Sequence, residues 1–221
     1  MVPRREAREG SADHSMTHAP DKPFLEERRR ARRFFNRVSA LYPVVERHLS
    51  PQYREALCAI DLPRELSVLD LATGTGLLAG AFSERGHPVT GLDFADELLG
   101  RARRRFPRVD FRHLDLLHLD RIDARAYDVV SMGYVLHGLS PGFRHFVLSE
   151  SARIARTHVL VFDYCRDGGW VVRLIEWVEG PHYPLFIAED REREFRIAGL
   201  QPERVEQVSE LGSYWLCVPG P

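Results

Sequence analysis

The chain is expected to fold as an α/β protein, with a Rossmann-like, seven-stranded, mostly parallel sheet and helices on both faces. Three observations carry that expectation. The stretch Val68–Ala79 reads VLDLATGTGLLA, an apolar run that ends in an acid, crosses a glycine-bearing loop and opens into helical periodicity. Further apolar runs of strand length, at Val89–Leu92, Val109–Leu114, Tyr127–Met132 and His158–Phe162, alternate with segments of helical period, the pattern of a parallel sheet wound by crossover helices. A chain of 221 residues with 44% apolar content is enough for one sizeable domain.

Residues 1–23 are polar and almost free of large apolar side chains, so they are read as a disordered tail. Residues 24–62 are read as a helical cap. Its first helix carries Phe34, Phe35, Val38, Leu41 and Tyr42 as an apolar stripe. Ser50-Pro51 is expected to start a second helix, with serine as N-cap and proline in the first turn, carrying Leu57 and Ile60 toward the core. Residues 63–221 are the main domain.

At the loop, Gly74 and Gly76 are expected to let a ligand approach the backbone, and the helix that follows presents unpaired N–H groups and a positive dipole end. Gly74-x-Gly76-x-x-Ala79 satisfies the dinucleotide fingerprint, with Asp93 placed as a ribose acceptor. Asp70 argues against that cofactor, because a carboxylate beside the loop would face phosphates. S-adenosylmethionine has no phosphate and carries an ammonium and a sulfonium, so the acid favours a methyl donor.

These stretches, in order, carry a family resemblance: VLDLATGTG, VTGLDFADELLGRAR (89–103), VDFRHLDLLHL (109–119) and YDVVSMGYVLHGL (127–139). They resemble the successive motifs of class I S-adenosylmethionine-dependent methyltransferases. Upstream, Phe35-x-x-Val38-Ser39-x-x-Tyr42 is similar to the lead-in of the ubiquinone/menaquinone-biosynthesis methyltransferases. The resemblance runs in outline from 34 to 218. It departs at Ala72, where the family often has its first glycine, and at Pro43, where that subfamily usually has Asp. It implies S-adenosyl-L-methionine as cofactor and implies that Tyr42 closes over the donor. The cofactor contacts expected on this basis are Tyr42, Asp70, Ala72, Gly74, Gly76, Asp93, Phe94, Asp115, Leu116, Met132 and Gly133.

Each later element supports a place in that scheme. Asp93 ends the second strand, where a carboxylate accepts from both ribose hydroxyls; capping the next helix is its alternative. Phe94 is placed to lie on the adenine face. Asp96 and Glu97 open the helix after the second strand and Arg101, Arg103, Arg104 and Arg105 close it, which matches the helix dipole. Asp115 and Leu116 suit the adenine edge and ring. The fourth strand ends at Met132, Gly133 and Tyr134, with His137 just beyond, at the sheet edge where ligands bind in open α/β folds. The Asn/Asp-Pro-Pro-aromatic tetrapeptide of nucleobase amine methyltransferases is missing there. Strand five delivers Asp163 to the same edge. Residues 165–188, with Trp170 and Trp177, are read as a hydrophobic substrate lid, which implies a small apolar or aromatic acceptor. Glu189–Ala198 is read as one helix, and Val205–Val208 with Ser213–Val218 as a closing hairpin that resembles the family's antiparallel last strand.

The expected reaction is in-line methyl transfer, with His137, Tyr134 and Asp163 as candidate catalytic residues and His137 first as a base near neutral pH. A net charge of −1 argues against a nucleic-acid or membrane-surface binder. Cys58, Cys165 and Cys217 lack metal or redox spacing, so no metal and a reducing, cytoplasmic setting are expected. No apolar run has spanning length. Two alternatives stand beside this reading. One is an NAD(P)-dependent oxidoreductase, opposed by Asp70, Asp115 and the lack of a Tyr-x-x-x-Lys pair (Lys22 is the sole lysine). The other is a non-catalytic cofactor-binding domain.

Overall fold

The computed structural model describes residues 42–169 and 182–220. The expected tail, the stripe from Phe34 to Leu41, and the lid residues Trp170 and Trp177 lie outside the described residues, as does the Tyr42 side chain.

Helix α1 spans Tyr42–Ala59 with Pro51 inside it, so Ser50-Pro51 is not a helix start. Tyr53, Ala56, Leu57 and Ile60, at helical spacing, are all buried. Packing of that face against the next helix carries α1 through the proline, despite the backbone hydrogen bond that Pro51 cannot donate.

Strand β1 is Val68–Leu71, fully buried, followed by α2, Leu77–Glu84, against which α1 packs. Strand β2 is Val89–Asp93. Helix α3, Asp96–Arg105, has its acids at the start and arginines at the end. Strand β3 is Asp110–His113, and a 3-10 turn follows at Leu116–Arg121. Strand β4, Tyr127–Gly133, leads to a second short turn at Leu136–Gly138. Then come α4, Pro141–Ile154, and β5, Ala155–Tyr164. A short helix, α5 at Tyr183–Ala188, precedes the helix expected over Glu189–Ala198, which is α6 at Arg191–Ile197. Asp190 separates them by accepting from the Arg193 N–H at 3.1 Å, the bond that starts a new helix. Strands β6, Leu200–Gln207, and β7, Gly212–Pro219, close the chain.

The seven strands lie in the order β3-β2-β1-β4-β5-β7-β6. The first five are mutually parallel, and β7 runs antiparallel to both β5 and β6. The expected mostly parallel sheet with an antiparallel last strand is therefore the observed one. Two apolar cores fill its two faces. One joins α1, α2 and α3 through Tyr53, Leu57, Phe82, Leu99 and Phe162. The other joins α4, α5 and α6 through Leu136, Val147, Val161, Phe186 and Phe195. Strand order reverses between β1 and β4, so the crevice for a ligand opens beyond their carboxyl ends.

Candidate active site

Three left-handed residues bend the loop after β1: Ala72 (φ 48°), Gly74 (φ 56°) and Gly76 (φ 80°). The two glycines serve different ends. A Cβ on Gly76 would come within 2.6 Å of the Phe111 ring and 3.1 Å of Ala102, so this glycine is needed for packing. A Cβ on Gly74 would meet nothing within 4 Å. The open space expected above the loop is at Gly74.

Two acids hold the loop in shape. Asp70, 1% exposed, accepts from Thr73 Oγ1 at 2.6 Å and from Ser131 Oγ at 2.7 Å. Asp93 accepts from the Gly74 N–H and the Ala95 N–H, both at 2.8 Å. It thus combines loop clamp and helix-start acceptor, and each oxygen keeps lone-pair capacity. Burial raises both carboxyl groups above their ordinary range, Asp70 to about 6, with the Asp93 charge adding to the rise. Two buried carboxylates with raised pKa values disfavour another anion and favour a cation. A pyrophosphate fits this edge poorly, whereas a sulfonium nucleoside with an ammonium group fits it.

The remaining cofactor candidates fall around this edge in different ways. Phe94 is half-buried and belongs to neither core. Asp115 caps the turn after β3, accepting from the Leu117 N–H at 3.1 Å. Leu116 and Met132 are buried in the α4-side core. Gly133 ends β4 beneath Tyr53, whose hydroxyl would lie 2.4 Å from a Cβ placed there.

At the ends of β4 and β5 the structure brings together residues 26 positions apart. His137 Nδ1 lies 2.7 Å from Asp163 Oδ1, with His137 3% and Asp163 0% exposed. Asp163 also accepts from the backbone N–H groups of Leu136 at 2.9 Å, His137 at 3.3 Å and Tyr164 at 2.8 Å. A carboxylate oxygen accepts, so Nδ1 carries the proton in this hydrogen bond and Nε2 is the nitrogen turned away from Asp163. Tyr164 meets the imidazole edge-on with centroids 4.9 Å apart, and Tyr183 and Phe186 lie at 6.3 and 6.2 Å. Tyr134, left-handed at φ 56°, stacks edge-on with Tyr164 at 5.2 Å. Its hydroxyl is 3.4 Å from Gln52 Oε1, and burial pushes its pKa up to about 12.

Several contributors escape a reading of the sequence. Gln52 and Tyr53 reach the edge from α1, and the misplaced helix start hides them. Arg144, wholly buried, donates to Glu194 Oε1 at 2.8 Å and to the Leu139 carbonyl at 2.9 Å. It also pairs with Glu189, while Arg191 pairs with Glu194 and donates to the Phe186 carbonyl. The two guanidinium groups flank the Phe186 ring at 5.4 and 3.5 Å. Within the expected lid, the Gly168 N–H donates to the Tyr183 hydroxyl at 3.0 Å. Among the described residues no grouping of three or more His, Cys, Asp or Glu could hold a metal ion, and no helix is long and apolar enough to cross a membrane.

Comparison with known proteins agrees with this architecture. Residues 68–158 match the family model described as a methyltransferase domain. A demethylmenaquinone methyltransferase of Chlorobaculum tepidum is 36% identical over 87 residues, which cover 38% of this chain and 36% of that protein. Its counterpart in Bacillus cereus is 27% identical over 135 residues, 55% of this chain and 56% of that protein. The chain thus matches about half or less of the length of these curated relatives. The putative methyltransferase of Haloferax volcanii, solved in complex with the Trm112 methyltransferase activator, superposes with a TM-score of 0.64 at 17% identity. That superposition covers 86% of this chain and 98% of that one. By its sheet order, its glycine loop and the methyltransferase-domain match over residues 68–158, the chain is similar to the class I S-adenosylmethionine-dependent methyltransferases.

Proposed function

We propose that this protein transfers a methyl group from S-adenosylmethionine, by in-line displacement, to a small apolar or aromatic acceptor. The observation that carries the reading is the pair of buried, pKa-raised carboxylates, Asp70 and Asp93, beside an open glycine loop at the switch point of the sheet. When bound, the cofactor supplies a methyl group already activated by its sulfonium charge. Asp93 orients the ribose hydroxyls, Asp115 and Phe94 take the adenine edge and face, and Asp70 balances the positive charge. His137, its tautomer set by Asp163, takes a proton from an acceptor hydroxyl through Nε2. Tyr134, Tyr164, Tyr183 and Phe186 exclude water around it. The matched demethylmenaquinone methyltransferases support a small ring-bearing acceptor.

An NAD(P)-dependent oxidoreductase is not favoured, because two carboxylates border the loop where a pyrophosphate would lie. Isothermal titration tests the choice directly. S-adenosylmethionine and S-adenosylhomocysteine are expected to bind and NADH is not; the reverse order overturns the proposal. Turnover against a panel of phenols, quinones, amines and carboxylates then separates an enzyme from a binding domain.

A further inference from the structure

Tyr53 is 4% exposed, yet its hydroxyl has no hydrogen-bond partner among the described residues. It is not one of the polar atoms sealed wholly inside the protein without a partner, so the oxygen opens onto a space rather than into solid core. A buried hydroxyl left unpaired costs free energy, and such a group in a cleft signals a ligand that completes it. The geometry fixes which cleft. The ring packs edge-on against Phe162 of β5 at 4.9 Å, and the hydroxyl lies over Gly133 of β4, where any side chain would collide with it. Gly133 and Phe162 are neighbours in the sheet. Tyr53 therefore reaches the ends of β4 and β5 from the α1 face. His137 reaches the same ends from the opposite face, packed against Phe186.

The charge around the hydroxyl selects what it binds. Burial, reinforced by Tyr134, Asp70 and Asp163, raises its pKa well above the ordinary tyrosine value, so it stays protonated and acts as a donor. Its partner must be an atom with a lone pair, an oxygen or a nitrogen. With Asp70 and Asp163 both near, an anionic oxygen such as the cofactor's carboxylate is disfavoured, and a neutral carbonyl or hydroxyl oxygen is preferred.

We propose that Tyr53 is a specificity-determining residue whose hydroxyl donates a hydrogen bond to a neutral oxygen on the ring of the methyl acceptor. The inference rests on the methyltransferase reading above. It makes oxygenated aromatics the acceptor class, held between Tyr53 on one face of the sheet edge and the His137–Asp163 pair on the other.

The test uses the full chain saturated with S-adenosylhomocysteine, titrated with 2-naphthol and with naphthalene, which share a ring system and differ by one hydroxyl. In Tyr53→Phe the affinity ratio of 2-naphthol to naphthalene is expected to fall about fivefold, the scale of one neutral hydrogen bond. Affinity for S-adenosylhomocysteine should not change. Gly133→Ala, which pushes a methyl group into the Tyr53 hydroxyl, should lower the same ratio by a separate route, and thermal melting checks that both variants are folded. An unchanged ratio in folded Tyr53→Phe overturns the inference. So does an equal loss of S-adenosylhomocysteine affinity, which would assign the hydroxyl to the cofactor, or failure of either ring to bind the wild-type complex. If the wild-type protein does not bind S-adenosylhomocysteine at all, the methyltransferase reading itself falls, and this inference with it.

Discussion

The Asp163 carboxylate grips His137 twice, accepting from its ring Nδ1 at 2.7 Å and from its backbone N–H at 3.3 Å. The side chain and the turn that carries it are therefore fixed by one group at the end of the neighbouring strand. If the imidazole serves as a base, Asp163 fixes which nitrogen does the work. Asp163→Asn would release that tautomer, and its turnover is expected to fall about a hundredfold, the range of a general base. Affinity for S-adenosylhomocysteine should be nearly untouched. His137→Gln should show the same split between turnover and donor binding. Full activity in either variant removes the pair from the chemistry.

Asp93 makes a different prediction. Because it holds the Gly74 and Ala95 N–H groups, Asp93→Ala removes a loop clamp as well as a ribose contact. Donor affinity is expected to drop at least tenfold, with a loss of about 1–3 kcal/mol in unfolding free energy from the stranded N–H groups. Calorimetric titration and urea denaturation read the two effects separately. Unaltered donor binding would contradict the ribose role.

What the sequence discloses follows from distance along the chain. The turn from β1 into α2 is legible because strand, loop and helix start are consecutive and each residue's role is local. The sheet order is legible only through the order of motifs, since pairings between β1 and β4 leave no local mark. Pro51 misleads, because a proline after a serine is a strong local start signal. The packing of Tyr53, Ala56, Leu57 and Ile60 overrides it. The acids Glu189 and Asp190 read as the first turn of a helix, when Asp190 caps that helix from outside and Glu189 reaches to Arg144. Arginine is seldom fully buried, so nothing in the composition singles out Arg144. The packing constraint on Gly76 is hidden in the sequence because the Phe111 ring lies 35 positions away.

Ala72 gives a prediction about strain. Its φ of 48° costs an alanine about 1 kcal/mol or more, while glycine adopts it freely. Ala72→Gly loses a half-buried methyl group and adds unfolded-state entropy, yet should stay within about 1 kcal/mol of the wild type. Ala72→Val should lose about 2 kcal/mol or more, since β-branched residues rarely tolerate this region. Equal stability of the two variants in urea denaturation would show that the strain is not there.

Arg144 tests the buried ion cluster. Replacing it with methionine leaves the Leu139 carbonyl without its guanidinium donor and Glu194, 15% exposed on its side chain, with Arg191 as its remaining partner. Breaking a buried pair completely from one side costs about 3–5 kcal/mol; with Arg191 still in place the expected loss is about 2 kcal/mol, and Glu189, more exposed, adds little. Because the cluster also brackets Phe186 beside His137, turnover should fall even where the variant is folded. A stability loss below about 1 kcal/mol would mean the cluster is not formed in solution.

Asp70 links both stability and binding to pH. Its carboxyl titrates near 6 in the folded protein against an ordinary value of 3.8, so above about pH 6 the folded chain holds a buried charge that the unfolded chain hydrates freely. That cost is full at neutral pH, is relieved as pH falls through 6, and is gone below the unfolded value. Asp70→Asn should therefore stabilise the free protein at pH 8, by about 1.4 kcal/mol for each tenfold loss of acidity that folding imposes on the carboxyl, with a gain that fades toward pH 4. His87 and His158, whose pKa values burial lowers, act oppositely: they destabilise the fold as pH drops below the ordinary histidine value. Their contribution is common to both proteins and cancels in the difference. For the donor, the charged form of Asp70 is the useful one. Affinity for S-adenosylmethionine should rise as pH passes upward through 6, with proton release on binding near that pH, and Asp70→Asn should abolish both. Titration calorimetry in two buffers of different ionisation enthalpy measures the released proton. A pH-independent affinity from 5 to 8 would detach Asp70 from the cation it is proposed to balance.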